Sequence, residues 1–169
     1  MDVFEAVRTV LAVRSFKDQP VPAEVIQRIV DAGRLTGSSM NRQPWHYIVV
    51  TRRETLQQIG SLARSGPYTA QAALAIVVAV EHTSPYGLSD ASRAIQSMML
   101  AGWAEGVGSN WVGFYGLEAL RPLLNIPETL DVVAVVPFGY PEKHIGFGKK
   151  NRKTQDEVVS WEKFGEKKP

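Results

Sequence analysis

The chain reads as a single domain in which helices and strands alternate, and three observations carry that expectation. Its 169 residues suit one domain, which at this size buries roughly 70% of the surface its unfolded chain exposes. Apolar residues recur at helical spacing in several stretches, with short β-branched runs between them. The longest helical stretch ends in Met98-Met99-Leu100-Ala101-Gly102-Trp103-Ala104, apolar on every face. A helix covered on one side only shows a polar stripe. This one is therefore expected to be buried all round, either centrally in the domain or against a second subunit.

Residues 2–12 place Val3, Phe4, Val7, Val10 and Leu11 on one face of a first helix. Pro20-Val21-Pro22 interrupts the chain, and Pro22 suits the first turn of a second helix running to about Leu35. Residues 46–51 read as a strand and Glu54 to Leu62 as a short helix. Ala72 to Glu81 contains Ile76-Val77-Val78-Ala79-Val80, a buried strand by composition and length. Ser89-Asp90 offers an N-cap for the long helix, which extends to about Glu105. Gly106-Val107-Gly108 stops it, and Asn110 to Phe114 returns as a strand. Leu117 to Leu124 is a further helix and Asp131 to Phe138 the last strand. Pro137 cannot donate to a ladder, so that strand is expected to end, or to lie at an edge, there. Beyond Pro141 the sequence is a charged tail, with a helical turn or two around Thr154 to Trp161.

The order α-α-β-α-β-α-β-α-β superficially suggests a doubly wound sheet. No Gly-x-Gly-x-x-Gly turn follows the first strand, however, and Gly106-Val107-Gly108 precedes a strand where a dinucleotide site needs a helix. Composition narrows function further. The chain has no cysteine, which removes disulfides, thiolate metal sites and cysteine nucleophiles. His46, His82 and His144 lack ligand spacing, so no metal is expected. No run of about 18 apolar residues occurs, and Met1 to Glu5 is acidic and amphipathic, unlike a signal segment. A soluble, cytoplasmic protein with no membrane role is expected. The net charge is only +2, yet Lys143, Lys149, Lys150, Arg152 and Lys153 cluster around Gly146 and Gly148. No nucleic-acid-binding module accompanies them. A compact anion site, such as one for a phosphate, or a solvated tail accounts for such a cluster.

The most informative run is Ser38-Ser39-Met40-Asn41-Arg42-Gln43-Pro44-Trp45, short polar groups on a loop carried by an apolar strand. It resembles the loop before the first strand of the FMN-dependent nitroreductase family, whose motif reads roughly Ser-x-x-Asn-x-Gln-Pro-Trp. The resemblance covers nearly the whole chain. Residues 106–114, Gly-Val-Gly-Ser-Asn-Trp-Val-Gly-Phe, look like the family's Gly-Leu-Gly-x-x-Trp-x-Gly segment. Gly139-Tyr140-Pro141 and Lys149-Lys150-Asn151-Arg152 match its closing Gly-Tyr-Pro and Lys-x-Arg elements. Met1 to Asp18 aligns with its opening helix and Arg-Arg-Ser-x-Arg-like segment, of which only the last arginine survives, as Arg14. The first arginine and the serine fall on Val10 and Ala12.

This resemblance implies an α+β fold with a mostly antiparallel four- to five-stranded sheet between helical layers. It also implies an intertwined homodimer with FMN at the subunit interface and residues 142–169 packing on the partner. Arg14, Lys150 and Arg152 would hold the flavin phosphate. Ser38, Ser39 and Asn41 would reach the flavin from the opposite subunit, Asn41 by an amide that both donates and accepts. Trp111 and Val112 would lie near one ring face, with the Gly113 backbone near N5. The implied activity passes hydride from NAD(P)H to a small acceptor such as a nitroaromatic or quinone, with no catalytic side chain. An alternative is a flavin-binding or flavin-handling protein without NAD(P)H turnover, and a third, weaker reading is a flavin-free interaction protein. Between Glu81 and Ser89 there is no room for the helical insertion that covers the flavin in larger relatives.

Overall fold

The computed structural model describes residues 1–113, 116–143 and 150–168. Phe114, assigned above to a strand, and Lys149, part of the tail motif, lie outside the described residues. The helices are α1 (Val3–Thr9), α2 (Ala23–Arg34), α3 (Arg53–Leu62), α4 (Gly87–Ala104), α5 (Leu120–Leu124) and α6 (Gln155–Val158). Strands β1 (Trp45–Val50), β2 (Leu74–Glu81), β3 (Gly108–Ser109) and β4 (Leu130–Gly139) form one sheet of order β1-β2-β4-β3. Every neighbouring pair is antiparallel. The doubly wound alternative is thereby excluded, and the α+β arrangement holds.

β2 sits at the centre and is buried along its length except at Glu81. Its side chains alternate between faces, as a strand's must. Leu74, Ile76 and Val78 meet Ile29 of α2 and Ile95 and Met98 of α4, together with Val136 and Phe138 of β4. Ala75 and Val77 meet Leu56 and Ile59 of α3 and Leu120 of α5 on the other face. Each large aliphatic side chain so buried contributes roughly 1.5–3 kcal/mol. Two cores sandwich one sheet, and the chain at residues 12–13 crosses its β3 edge.

Four expectations are corrected. The first helix stops at Thr9, short of residue 12, because the chain beyond it pairs with β3. Ala12 bridges Ser109, and the Val13 N–H donates to the Ser109 carbonyl at 2.9 Å. The long helix begins at Gly87 with no side-chain cap, and Asp90 points inward from its first turn. The third strand is two residues long, followed by a bridge at Val112 to Val135. Asn110 leaves the ladder because its buried amide bonds to the Tyr68 hydroxyl and to the Trp111 carbonyl.

Pro137 gives the fourth correction: β4 runs through it to Gly139 and is an interior strand. Val135 exchanges backbone hydrogen bonds with Val112, at 2.8 and 2.9 Å. By the two-residue alternation Pro137 faces the same side, where residues 110–111 have left the ladder. The missing N–H falls in that gap, so no ladder bond is lost.

The apolar half of α4 is not enclosed within one chain. Met98 and Gly102 are buried, whereas Met99, Leu100, Ala101 and Trp103 are half-buried and Ala104 is exposed. Of the two environments expected for it, the centre of the domain is excluded. α1 adds Val3 and Phe4, 78% and 75% exposed, to the uncovered apolar surface. Among the described residues no helix is long and apolar enough to cross a membrane.

Candidate functional site

The crossing chain at the β3 edge is positioned by close backbone approach. A Cβ at Gly108 would stand 2.3 Å from the Val13 side chain, so only glycine lets residues 12–14 lie against β3. Arg14 follows and is exposed. Val112 is buried and both its backbone groups bond to Val135, so its part is to fix the segment. Gly113 is buried too; its carbonyl accepts from the Ser65 hydroxyl at 3.0 Å. A Cβ there would come within 2.6 Å of Trp111 Nε1, so the indole packs over bare backbone. Trp111 Nε1 is itself buried without a hydrogen-bond partner among the described residues.

The tail returns to this side of the molecule. Lys150 Nζ donates to the Val7 carbonyl at 2.7 Å, in the last turn of α1. Burial and the neighbouring Arg152 both hold the Lys150 ammonium below its usual range. Among the described residues, no carboxylate forms an ion pair with Arg14, Lys150 or Arg152. Arg152 lies close enough to Lys150 to act on its charge, and neighbouring cations without counter-charge are the kind of donors a phosphate requires. Val10 is half-buried and Ala12 exposed, and neither offers a donor from its side chain. The residues present thus fit the phosphate end of a flavin mononucleotide with fewer donors than the sequence pattern they resemble.

The second group lies elsewhere. Ser39–Asn41 forms a single tight turn between α2 and β1. Met40, Asn41 and Gln43 have φ of 53°, 55° and 51°, an unusual concentration of left-handed non-glycine residues. The Ser38 hydroxyl accepts from the Gln43 N–H at 2.8 Å, and Ser39 donates through both N–H and hydroxyl to Asp90. Asn41 and Arg42 are exposed. Asp90, which sequence reasoning took for a helix cap, is thus what the loop rests on. Its signal was an acidic residue in the first turn of a helix, which the macrodipole alone explains.

Ser39 meets α4 at Asp90, whereas β3 follows the other end of the helix. At about 1.5 Å per residue, the helix between Asp90 and Ala104 sets the loop roughly 20 Å from β3 and the residues 12–14 beside it. Trp111 returns toward the first turn of the helix, beside Leu88. One chain does not bring the loop and the β3 strand together. A cleft of about 380 Å³ beside α4's first turn, lined by Leu88, Trp111 and Asp131, has Trp111 as its only sequence-predicted site residue. On its rim His82 Nδ1 lies 2.8 Å from Asp131, which Arg121 also contacts at 3.2 Å.

Comparison with known proteins gives this arrangement a context. The family model described as the Nitroreductase family matches residues 8–85 and 67–140. A protein of Methanothermobacter thermautotrophicus described as a candidate NADH dehydrogenase/NAD(P)H nitroreductase is 36% identical over 154 residues, 86% of this chain and 81% of its own. One of the same description from Archaeoglobus fulgidus is 35% identical over 162 residues, covering 90% and 93% of the two chains. A candidate nitroreductase of Desulfovibrio desulfuricans, solved in complex with FMN, superposes with a TM-score of 0.84 at 26% identity, over 97% and 98% of the two chains. The antiparallel sheet, the β3-edge segment and the family match agree, and the chain belongs to the nitroreductase family.

Proposed function

We propose that the protein is an FMN-dependent oxidoreductase acting as a homodimer, with two sites each built from both chains. The observation that carries this reading is the separation of two candidate groups. Lys150 and the chain leading into Arg14 lie against α1 and β3, beyond the last turn of α4, while the loop of Asn41 is fastened to Asp90 in its first turn. Arg14 and Arg152 in one group, and Asn41 and Arg42 in the other, are exposed. A two-fold axis beside the half-exposed apolar face of α4 would bring one chain's loop to the other's β3 edge. FMN, when bound, supplies the two-electron chemistry, taking hydride from NAD(P)H and passing it to a small acceptor such as a nitroaromatic or quinone.

The chain's own part is to bind, orient and exclude water. Arg14, Lys150 and Arg152 hold the phosphate. Asn41 from the partner chain satisfies the donor and acceptor edge of the ring, with Ser38 and Ser39 shaping its loop. The Gly113 backbone and Trp111 border the ring where Val112 fixes them. Residues 142–169 pack on the partner, which covers Trp161 and Phe164, 38% and 103% exposed in the single chain. The test is anaerobic titration of the FMN-loaded protein with NADH and NADPH. Bleaching of the flavin, followed by reoxidation with an acceptor panel, is the expected result.

One observation favours a second reading, a flavin-binding protein without nicotinamide turnover. Val10 and Ala12 supply no phosphate donors, so the anchor rests on fewer groups. Flavin colour that persists under either nicotinamide selects that reading. Colourless protein that takes up no FMN rejects both.

A further inference from the structure

Asp90 has no part in the reading so far, yet its environment is the most elaborately built of any acidic side chain among the described residues. It is 1% exposed. The Ser39 N–H donates between its two oxygens, 3.1 Å from each, and the Ser39 hydroxyl donates at 3.0 Å. The Arg93 guanidinium, on the next turn of α4, completes the set. A buried carboxylate is costly unless its lone pairs are filled. Here two of the donors come from one loop residue 51 positions away.

The loop needs that attachment. Left-handed non-glycine residues cost on the order of 1–3 kcal/mol each and persist only where the surroundings over-determine them. Within the loop, Asn41 N–H bonds to the Ser38 carbonyl at 3.0 Å and Arg42 N–H to the Ser39 carbonyl at 3.1 Å, closing it on itself. Upstream, the Thr36 hydroxyl meets that of Ser97; downstream, the Pro44 carbonyl accepts from Glu81. Between those points, among the described residues, the hydrogen bonds that fasten the loop to the domain are the ones to Asp90. Gln43 Nε2 donates to Asn41 Oδ1 at 3.2 Å and to the Asn41 carbonyl at 3.3 Å, so the turn's geometry is passed to the Asn41 amide.

We infer that Asp90 is a positioning residue for the flavin site, acting through Ser39 to hold Asn41 in the orientation that meets the flavin ring. This rests on the proposed function above. It predicts that Asp90 contributes to flavin binding only by way of Asn41.

The test is an interaction cycle in the full chain. Wild type, Asp90→Asn, Asn41→Ala and the double variant are each titrated with FMN and with riboflavin. Asn41→Ala is expected to weaken both flavins roughly 5-fold to 100-fold, the range for a lost buried hydrogen bond. Asp90→Asn should weaken both by less, and the double variant should be no worse than Asn41→Ala alone. A merely structural carboxylate would instead give losses that multiply in the double variant, and that result overturns the inference. If Asp90→Asn does not fold, Ser39→Ala replaces it, deleting one donor and leaving the amide and Arg93 in place; the same non-additivity is expected. Wild-type affinity in Ser39→Ala and Asp90→Asn, with Asn41→Ala weakened, removes Asp90 from the site and leaves the flavin reading standing. No effect of Asn41→Ala takes the loop itself out of the site, and both readings fall.

Discussion

The loop at residues 38–43 is fastened to the first turn of α4, the segment at 106–113 leaves its last turn, and the two are built on opposite plans. The segment is buried, stitched to β4 by backbone bonds at Val112 and Ser109, and packed through glycines. The loop is exposed, strained at three residues and fastened through a single carboxylate. Rigid backbone suits a contact that must be close and invariant, as beside a reacting ring atom. A clamped loop suits a polar contact whose side chain must find both a donor and an acceptor. It follows that changes in the segment should act on stability first, and changes in the loop on binding first.

The largest expected effect comes from the surface between the two regions. Leu100 is half-buried on the outer stripe of α4, with Arg93, Gln96 and Ala104 exposed beside it. Leu100→Lys keeps helix propensity and suits the C-terminal half of the dipole. It places an unpaired charge in the proposed dimer interface, which costs about 3–5 kcal/mol. Sedimentation should show monomers, with flavin binding lost from both half-sites together. A wild type that is already monomeric, with a melting temperature independent of concentration, rules out the dimer. Next is Gly108→Ala, whose methyl group would meet Val13 at 2.3 Å. Overpacking of this kind costs about 1–3 kcal/mol, read as a lower denaturation midpoint. An unchanged midpoint would mean that the crossing chain yields freely, and the rigid half of the comparison would fail.

These two regions also differ in how plainly they could be read beforehand. β2 was evident from Ile76-Val77-Val78, because burial on both faces leaves no polar residue to confuse the pattern. Helix α2, with one apolar stripe, was placed to within a residue or so of its ends. The end of α1 was missed because pairing of residues 12–13 with Ser109 is a long-range contact that overrides local spacing. Pro137 misled for a similar reason, since whether a proline breaks a ladder depends on which neighbour its nitrogen faces. The candidate residues of the proposed site came through resemblance alone. The separation of the loop at residues 38–43 from the chain at residues 12–14 was not legible, because it is a property of where α4's ends fall, and neither was Asp90. A buried acid and a capping acid are the same letter.

A third expectation sharpens the comparison at the phosphate end. Arg152→Ala should weaken FMN roughly 10-fold to 100-fold, the value of one charge-assisted hydrogen bond. Riboflavin, lacking the phosphate, should bind as before. Equal weakening of both flavins would mean that Arg152 acts through packing; no change in either would place the phosphate elsewhere.

The smallest effect is a gain. Val10 follows the last turn of α1 in extended conformation, half-buried, and Ala12 is exposed where it bridges Ser109. A serine at 12 reaches solvent without disturbing the backbone pairing, which uses main-chain atoms only. An arginine at 10 can lay its methylene stem along the surface that already half-covers the valine and carry its head outward. Val10→Arg with Ala12→Ser therefore adds donors beside Arg14 without opening the core. The gain is bounded by charge repulsion, since Lys150 already sits against Val7 and is held below its usual pKa in part by Arg152. A further cation without an anion worsens that repulsion, so the paired variant should be slightly less stable than wild type when flavin-free. With FMN bound, the phosphate relieves it, and affinity should rise by up to about 10-fold, corresponding to roughly 1.4 kcal/mol. Thermal melts with and without FMN separate the two terms. A variant equally stable in both states, with unchanged FMN affinity, would show that residues 10 and 12 face away from the phosphate and that the anchor is complete without them.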